Sequence, residues 1–204
     1  RGSILVSMDG TGYFSSHKVH CDNCCVKEHR DGTVTYYHQM LSAAVVHPDI
    51  KYVVPLAPEA IIKQDGSAKN DCERNAAKRM LHDLRREHPH LDITIIEDSL
   101  SSNAPHIKLL RELNFHFILG VKPGNHAALM ENIRDTALYE PMTTHKVEDG
   151  NIKHTFQFIN NVALNESNAD VLINYLEYWE IGSGGVQRHF SWVSDFPLTK
   201  ANVM

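Results

Sequence analysis

The sequence Ile4-Leu5-Val6-Ser7-Met8-Asp9 places an aspartate at the end of a short apolar run, and Ile93-Thr94-Ile95-Ile96-Glu97-Asp98 does the same later in the chain. Short β-branched runs that stop at polar residues are typical of buried strands. In open α/β sheets, ligands bind just outside the carboxyl ends of such strands. Asp9 and Asp98 are therefore candidates to share a hard divalent cation with a phosphate substrate.

A structural interpretation stays open for each aspartate taken alone, because an Asp in a turn commonly caps its own loop. Glu97 is next to Asp98 in sequence, but successive side chains of a strand alternate between its two faces. We therefore expect Glu97 to point away from the side on which Asp98 acts.

Composition limits the classes of protein that fit. A length of 204 residues suits one large domain or one domain with an insertion. The formal net charge of −5 does not by itself indicate a nucleic-acid partner. No apolar stretch approaches the roughly 18–20 residues that cross a membrane, so we expect no membrane partner. Three of the four cysteines crowd into residues 21–25, which favours reduced thiols and a cytoplasmic protein.

The order of predicted elements indicates an α/β protein. A strand up to Asp9 precedes a polar loop from Gly10 to about Gly32, and Pro48-Asp49 turns a hairpin between strands at 33–47 and 51–56. Helices are predicted over 70–88, from 103 and over 126–138, alternating with strands at 93–97 and 115–121. A β-rich section follows from about 146 to 195. This order fits a ribonuclease H-like mixed sheet flanked by helices, with a β-rich insertion toward the C-terminus.

The same pattern predicts three divisions of the chain. Residues 1–140 form the ribonuclease H-like core, residues 141–198 form the β-rich insertion, and residues 199–204 begin a truncated C-terminal helix with Thr199 as its N-cap.

A histidine- and cysteine-rich loop follows Asp9. Its candidate zinc ligands have the spacing His-x-x-His-Cys-x-x-Cys and are nearly contiguous, whereas structural zinc sites usually divide their ligands into two separated pairs. Zn²⁺ at the Cys21–Cys25 loop and a polar loop of reduced thiols both stay open. The candidate residues are His17, His20, Cys21, Cys24, Cys25 and His29.

Basic residues on the predicted helix at 70–88 form either a solvated face or a surface for DNA phosphates. Lys122, in the sequence Gly120-Val121-Lys122-Pro123-Gly124, is a second candidate phosphate contact. A phosphatase of the haloacid dehalogenase type is another alternative, because Asp9-Gly10-Thr11 matches half of its Asp-x-Asp-Gly-Thr motif. Ser7 stands where that family has its nucleophilic aspartate, so the match lacks the chemistry.

Several segments resemble DDE transposases of bacterial insertion sequences. The likeness covers about residues 3 to 126. The segments that carry it are Ser7–Ser16, Pro55–Glu59, Gln64–Gly66, Lys69–Ala76 and Glu97–His106.

The resemblance implies that Asp9 and Asp98 are the first two catalytic carboxylates and bind Mg²⁺ or Mn²⁺. It implies metal-dependent DNA strand cleavage and strand transfer at transposon ends. The third acid of such enzymes is a helical glutamate, and none of Glu177, Glu180 and Asp195 has that predicted setting. We expect this acid beyond Met204, so that this fragment is inactive alone.

The implied partners are transposon-end and target DNA, and the full-length protein is expected to be a homo-oligomer associated with the bacterial nucleoid. Alternatives that the sequence leaves open are an inactive transposase remnant or DNA-binding module without chemistry and a zinc-stabilised interaction module.

Overall fold

The computed structural model describes residues 2–63 and 69–204, and for residues 69–72 it describes the backbone alone. The chain divides into two compact units, Arg1–Ile95 and Ile96–Met204. Both units combine strands with helices, and each pairing of strands described below is antiparallel. The prediction of a mixed α/β protein is therefore confirmed.

The first unit is built around one long central strand. This strand, β3, is 14 residues long and pairs with four others. In its middle, the buried Gln39, Leu41 and Ala43 alternate with half-buried residues. The elements of this unit are β1 (Ile4–Ser16), β2 (Cys25–Glu28), β3 (Val34–His47), β4 (Ile50–Pro55), β5 (Glu59–Ile61) and α1 (Lys69–Glu87); β6 (Ile93–Glu97) crosses the boundary to the second unit.

Strand β1 is longer than the sequence predicts. It continues through Asp9 to Ser16, so the predicted polar loop from Gly10 to about Gly32 is wrong over its first seven residues, and it is wrong again at β2, Cys25–Glu28. The reason is cross-strand pairing, because Gly10–Ser16 lie opposite Leu41–Tyr36 of β3 and share backbone hydrogen bonds with them. Long-range pairing here outweighs the weak strand propensity of the glycines and serines.

The predicted hairpin is confirmed. Strand β3 ends at His47, β4 begins at Ile50, and these two residues are register partners across the Pro48-Asp49 turn. A turn rich in Pro and Asp is a local feature, which explains why the sequence alone locates it.

Helix α1 packs an apolar stripe against β5 and β3. The stripe consists of Ala76, Ala77, Met80, Leu81 and Leu84, all of them buried. These residues recur at the spacing of one helix face, as the sequence predicts. The helix extends from Lys69 to Glu87. The side chain of Asn70, the predicted N-cap, is outside the part of the chain that the structure describes.

The second unit carries two helices and a sheet whose strand order is β7-β11-β10-β9-β8. Its core includes the fully buried Phe117, Leu119, Ile107, Leu110 and Tyr175. The elements are α2 (Ala104–Glu112), β7 (His116–Gly120), α3 (Ala127–Tyr139), β8 (Thr143–Asp149), β9 (Ile152–Ala163), β10 (Leu172–Gly182) and β11 (Gly185–Ser194).

The predicted β-rich section is present as the four strands β8 to β11. The last residues form a turn where the sequence predicts a helix start. Asn202 explains the difference, since its side-chain oxygen accepts hydrogen bonds from both the backbone N–H and the hydroxyl of Thr199, at 2.7 and 3.1 Å. Thr199 is thus a donor to Asn202 in this turn and does not cap a helix.

None of the helices in the described ranges is both long enough and apolar enough to cross a membrane.

Candidate functional site

Asp98 follows β6 directly, as the sequence predicts, and its side chain is exposed. Its Oδ1 accepts a hydrogen bond from the backbone N–H of Leu100 at 2.9 Å, and its backbone carbonyl accepts one from Ser101 at 3.3 Å. This is an Asx-type turn, which fixes the direction of the carboxylate. The turn role and a metal-binding role are compatible, because a carboxylate has about four acceptor positions.

Glu97 lies on the opposite side, where its carboxylate is buried. Its Oε2 accepts a hydrogen bond from Nε2 of His106 in α2 at 2.5 Å, and the two side chains are 5% and 6% exposed. Alternation along β6 therefore separates the two acids as predicted. Glu97 anchors the strand end, and Asp98 alone is presented to solvent.

Close backbone packing holds the Asp98 turn against β7. A Cβ at Gly120 would lie 3.3 Å from the backbone nitrogen of Ser99 and 3.4 Å from the carbonyl carbon of Asp98, so only glycine fits without displacing the turn. The hydroxyl of Ser102 donates to the carbonyl of Gly120 at 2.5 Å. These contacts give Asp98 a rigid support, as a functional carboxylate requires.

An open depression of about 520 Å³ lies beside Asp98 within the second unit. One part of its wall is the segment from Gly120 to Gly124, which includes the exposed Lys122. Another part comes from β11 and includes Phe190 and Trp192, whose rings stack with centroids 5.7 Å apart. The depression thus combines a carboxylate, an amine and an aromatic surface.

Asp9 lies within β1 and is exposed. Its register partner is Ser42 of β3. Val6 and Met8, on the other face of the strand, are buried, so the alternation of β1 turns Asp9 away from the core. The prediction that Asp9 ends its strand is wrong, because β1 continues to Ser16. The residue itself is exposed.

The three residues considered for a third acid have structural partners in the second unit. Glu177 accepts a hydrogen bond from His189 at 2.7 Å, and Glu180 lies 3.8 Å from Arg188. Asp195 accepts from the ring of His116 at 2.6 Å and from the backbone N–H of Phe117 at 3.0 Å. Glu177 and Glu180 lie in β10 and Asp195 follows β11, so none has the helical setting of the expected acid.

Three basic residues of α1 have partners within the first unit. Arg79 donates to Glu59 at 2.6 Å, Arg86 donates to Asp83 at 2.5 Å, and Arg85 donates to the carbonyls of His88 and Leu91, both at 3.0 Å. These contacts favour the structural interpretation of this helix face over a DNA-binding one.

A second candidate site lies in the first unit, where two cysteines of the predicted loop meet a histidine of β3. The Sγ atoms of Cys21 and Cys24 are 3.7 Å apart, and Nε2 of His38 lies 3.4 Å from the first and 3.3 Å from the second. Cys21 is exposed, Cys24 is buried and His38 is half-buried. Three soft or borderline ligand atoms therefore converge on one point.

The other predicted zinc ligands have different partners. His17 contacts the carbonyl of Val34 at 2.9 Å, His29 contacts the hydroxyl of Thr35 at 2.8 Å, and the ring of His20 packs on Tyr36 with centroids 4.3 Å apart. The thiol of Cys25 is directed at the carbonyl of Ile61, at 4.0 Å.

His38 was missed by the sequence-based prediction because 14 residues separate it from Cys24. The pairing of β1, β2 and β3 brings the two together, and only the prediction of that three-strand arrangement would have identified it.

Comparison with known proteins gives only slight structural likeness. No protein-family model matches this sequence, and no curated protein matches it. Among solved structures, the chain is similar to a piggyBac transposase in a synaptic complex with hairpin DNA, at a TM-score of 0.45 and 10% identity. The match covers 98% of this chain and 36% of that chain. A TM-score of 0.45 at this identity does not establish a shared fold or activity.

Proposed function

We propose that this chain is part of the catalytic core of a DDE-type transposase, with a ribonuclease H-like arrangement, that cleaves and joins DNA strands in the presence of Mg²⁺ or Mn²⁺. Asp9 and Asp98 are its catalytic, metal-binding carboxylates. The observation that carries the proposal is the position of Asp98, which is exposed, directly follows a buried strand and lines an open depression beside Lys122. Its sequence context in Glu97–His106, which resembles the second-aspartate segment of these enzymes, supports the same role.

The donor chemistry fits a hard divalent ion. Mg²⁺ and Mn²⁺ prefer carboxylate oxygens, and Asp9 and Asp98 both expose theirs to solvent. When bound, such ions activate the attacking hydroxyl and stabilise the leaving oxygen of a phosphodiester. The protein contributes the direction of each carboxylate, through β1 for Asp9 and through the Leu100 hydrogen bond for Asp98.

Lys122 contributes to DNA binding in this proposal. Its ammonium group lies on the wall of the same depression as Asp98 and suits a contact with a DNA phosphate as a point charge. Such a contact holds the backbone near Asp98 without reading base sequence. The net charge of −5 makes the bound cations necessary, because unneutralised carboxylates repel a phosphate backbone.

The test is nicking of transposon-end DNA by the full-length protein. Asp9→Asn and Asp98→Asn each keep the size of the side chain and remove its charge, and we expect either to lower the nicking rate by at least about 1,000-fold, because several kcal/mol of electrostatic stabilisation are lost. Asp149→Asn is the matched control, since Asp149 is exposed at the end of β8 and lines neither candidate site. Nicking that survives Asp98→Asn at the wild-type rate contradicts the proposal.

A further inference from the structure

We propose that Cys21, Cys24 and His38 bind one Zn²⁺ ion and that the fourth coordination position is open to solvent. This site is separate from the catalytic carboxylates and does not depend on the proposed function. It differs from the site that the sequence predicts, because the third ligand comes from β3 and not from the Cys21–Cys25 loop.

The distances match those imposed by zinc. Zn–S bonds of about 2.3 Å and Zn–N bonds of about 2.0 Å at tetrahedral angles separate two sulfurs by about 3.8 Å and a sulfur from a nitrogen by about 3.5 Å. The corresponding separations here are 3.7 Å between the sulfurs and 3.4 and 3.3 Å from sulfur to nitrogen. A single ion can therefore contact all three atoms with only small shifts.

Hydrogen bonding alone accounts poorly for this arrangement. A neutral imidazole nitrogen carries at most one hydrogen, so Nε2 of His38 cannot donate to both sulfurs in good geometry. Cys24 is buried, and its sulfur already accepts a hydrogen bond from the backbone N–H of Cys21 at 3.3 Å. Zinc binds cysteine as the thiolate, whose sulfur can accept such a hydrogen bond.

The surrounding structure orients the three ligands. Cys21 and Cys24 are joined by a tight turn, in which the N–H of Cys24 donates to the carbonyl of Cys21 at 3.1 Å. The irregular pairing between Gly12 and Phe14 leaves Tyr13 as an extra residue in β1, and its ring stacks on His38 at 5.9 Å and 13°. A bulge that redirects a side chain in this way is common beside functional sites.

The ligand set favours zinc over hard cations. Two thiolates with one imidazole suit Zn²⁺, whereas Mg²⁺ prefers oxygen ligands. In the described part of the chain, these three residues form the one group of this kind, and a water molecule completes the coordination at the exposed Cys21 side. The ion would fasten the connection between β1 and β2 onto β3.

Metal content and affinity test the site directly. The 204-residue chain, purified under reducing conditions with zinc and then desalted, is expected to contain one zinc per chain by elemental mass spectrometry. Cys21→Ser, Cys24→Ser and His38→Asn are each expected to weaken zinc binding by more than about 100-fold, because even loss of a residue behind a ligand costs 10- to 100-fold. His20→Asn and Cys25→Ser, in the same segment, are the controls and should bind as the wild type does.

Two measurements on the unmodified chain keep the proposal testable if a variant fails to fold. Zinc should protect the exposed Cys21 from alkylation, and its removal by a chelator should restore the reaction. Free zinc at 100 times its dissociation constant should also raise the melting temperature by about 5–10 °C. A wild-type chain that takes up no zinc, or ligand variants that bind zinc as tightly as the wild type, would overturn the assignment.

Discussion

At the scale of single residues, the buried pair of Glu97 and His106 determines how Asp98 is presented. The two side chains are almost fully excluded from solvent and share a 2.5 Å hydrogen bond between β6 and α2. A buried carboxylate that loses its partner retains its desolvation cost without compensation. The pair therefore fixes the strand end from which the Asp98 turn begins.

Replacing His106 tests this anchoring role. We expect His106→Ala to lower the free energy of unfolding by about 3 kcal/mol, measured by urea denaturation, because Glu97 then stays buried without its donor. His90→Ala is the control, since His90 is exposed, and should change the free energy by less than about 0.5 kcal/mol. An equal, small effect of both substitutions would contradict the anchoring role.

The buried hydroxyl of Tyr175 makes the stability of the protein depend on pH. Its ring is fully buried, and this burial, with a smaller effect of the Glu177 carboxylate, raises the pKa of the hydroxyl above its ordinary value of about 10. The folded state therefore favours the protonated form. The resulting stability is complete below pH 10 and decreases at higher pH, where the unfolded chain ionises first.

Tyr175→Phe should remove this pH dependence. Relative to the variant, the wild type is expected to lose about 1 kcal/mol of unfolding free energy between pH 10 and pH 11. Chemical denaturation at a series of pH values measures the difference in unfolding free energy. The contributions of the other tyrosines are the same in both proteins and cancel. If the unfolding free energies of the two proteins change in parallel across this pH range, the Tyr175 hydroxyl ionises equally easily in the folded and unfolded states, which contradicts the prediction.

At the scale of elements, helix α2 depends on a cap that is visible in the sequence. The side-chain oxygen of Asn103 accepts a hydrogen bond from the N–H of His106 at 3.1 Å, and Pro105 follows in the first turn. Asn103→Ala should lower the unfolding free energy by about 1 kcal/mol, measured by thermal or urea denaturation. Asn103→Ser keeps a capping acceptor but, like Asn103→Ala, lacks the amide that donates to the carbonyl of Leu100 at 2.9 Å. It should lose less stability than Asn103→Ala, so a loss of the same size in both variants would contradict the capping role.

Local sequence features predict the turns and helix starts correctly. The features that the sequence does not predict depend on pairing between distant strands. The Pro48-Asp49 turn and the start of α2 at Asn103 each depend on a few consecutive residues, which is why both predictions are confirmed. The extension of β1 to Ser16 depends on β3, whose paired residues lie 20 to 31 positions away in sequence. Strand pairing also brings His38 next to Cys21 and Cys24. Because this contact cannot be read from neighbouring residues, the sequence predicts zinc ligands within the loop alone.

At the scale of the whole molecule, the charge balance bears on the DNA binding that we propose. The formal charge of −5 arises from 20 Lys and Arg residues against 25 Asp and Glu residues, and three basic residues of α1 have partners within the first unit. Lys122 is exposed and lines the depression beside Asp98. Its removal should therefore be measurable as the loss of one phosphate contact.

Removing this one cation should have a defined effect on salt dependence. For the full-length protein, we expect Lys122→Ala to reduce the slope of log affinity against log salt by about 1, as for loss of one phosphate contact. The loss should be similar for all DNA sequences, since phosphate contacts carry no base information. Lys153→Ala, on the exposed surface of β9, is the control. An unchanged slope for Lys122→Ala would remove Lys122 from the DNA-binding surface.

Exchange of the ligand atom of Asp98 tests most directly our proposal that this carboxylate binds the metal ion used in DNA cleavage. In single-turnover nicking by the full-length protein, Asp98→Cys should be at least about 1,000-fold slower than the wild type with Mg²⁺, which binds thiolate poorly. Mn²⁺ or Cd²⁺, which accept sulfur more readily, should restore a substantial part of the rate. Full activity of Asp98→Cys with Mg²⁺ alone would contradict the claim.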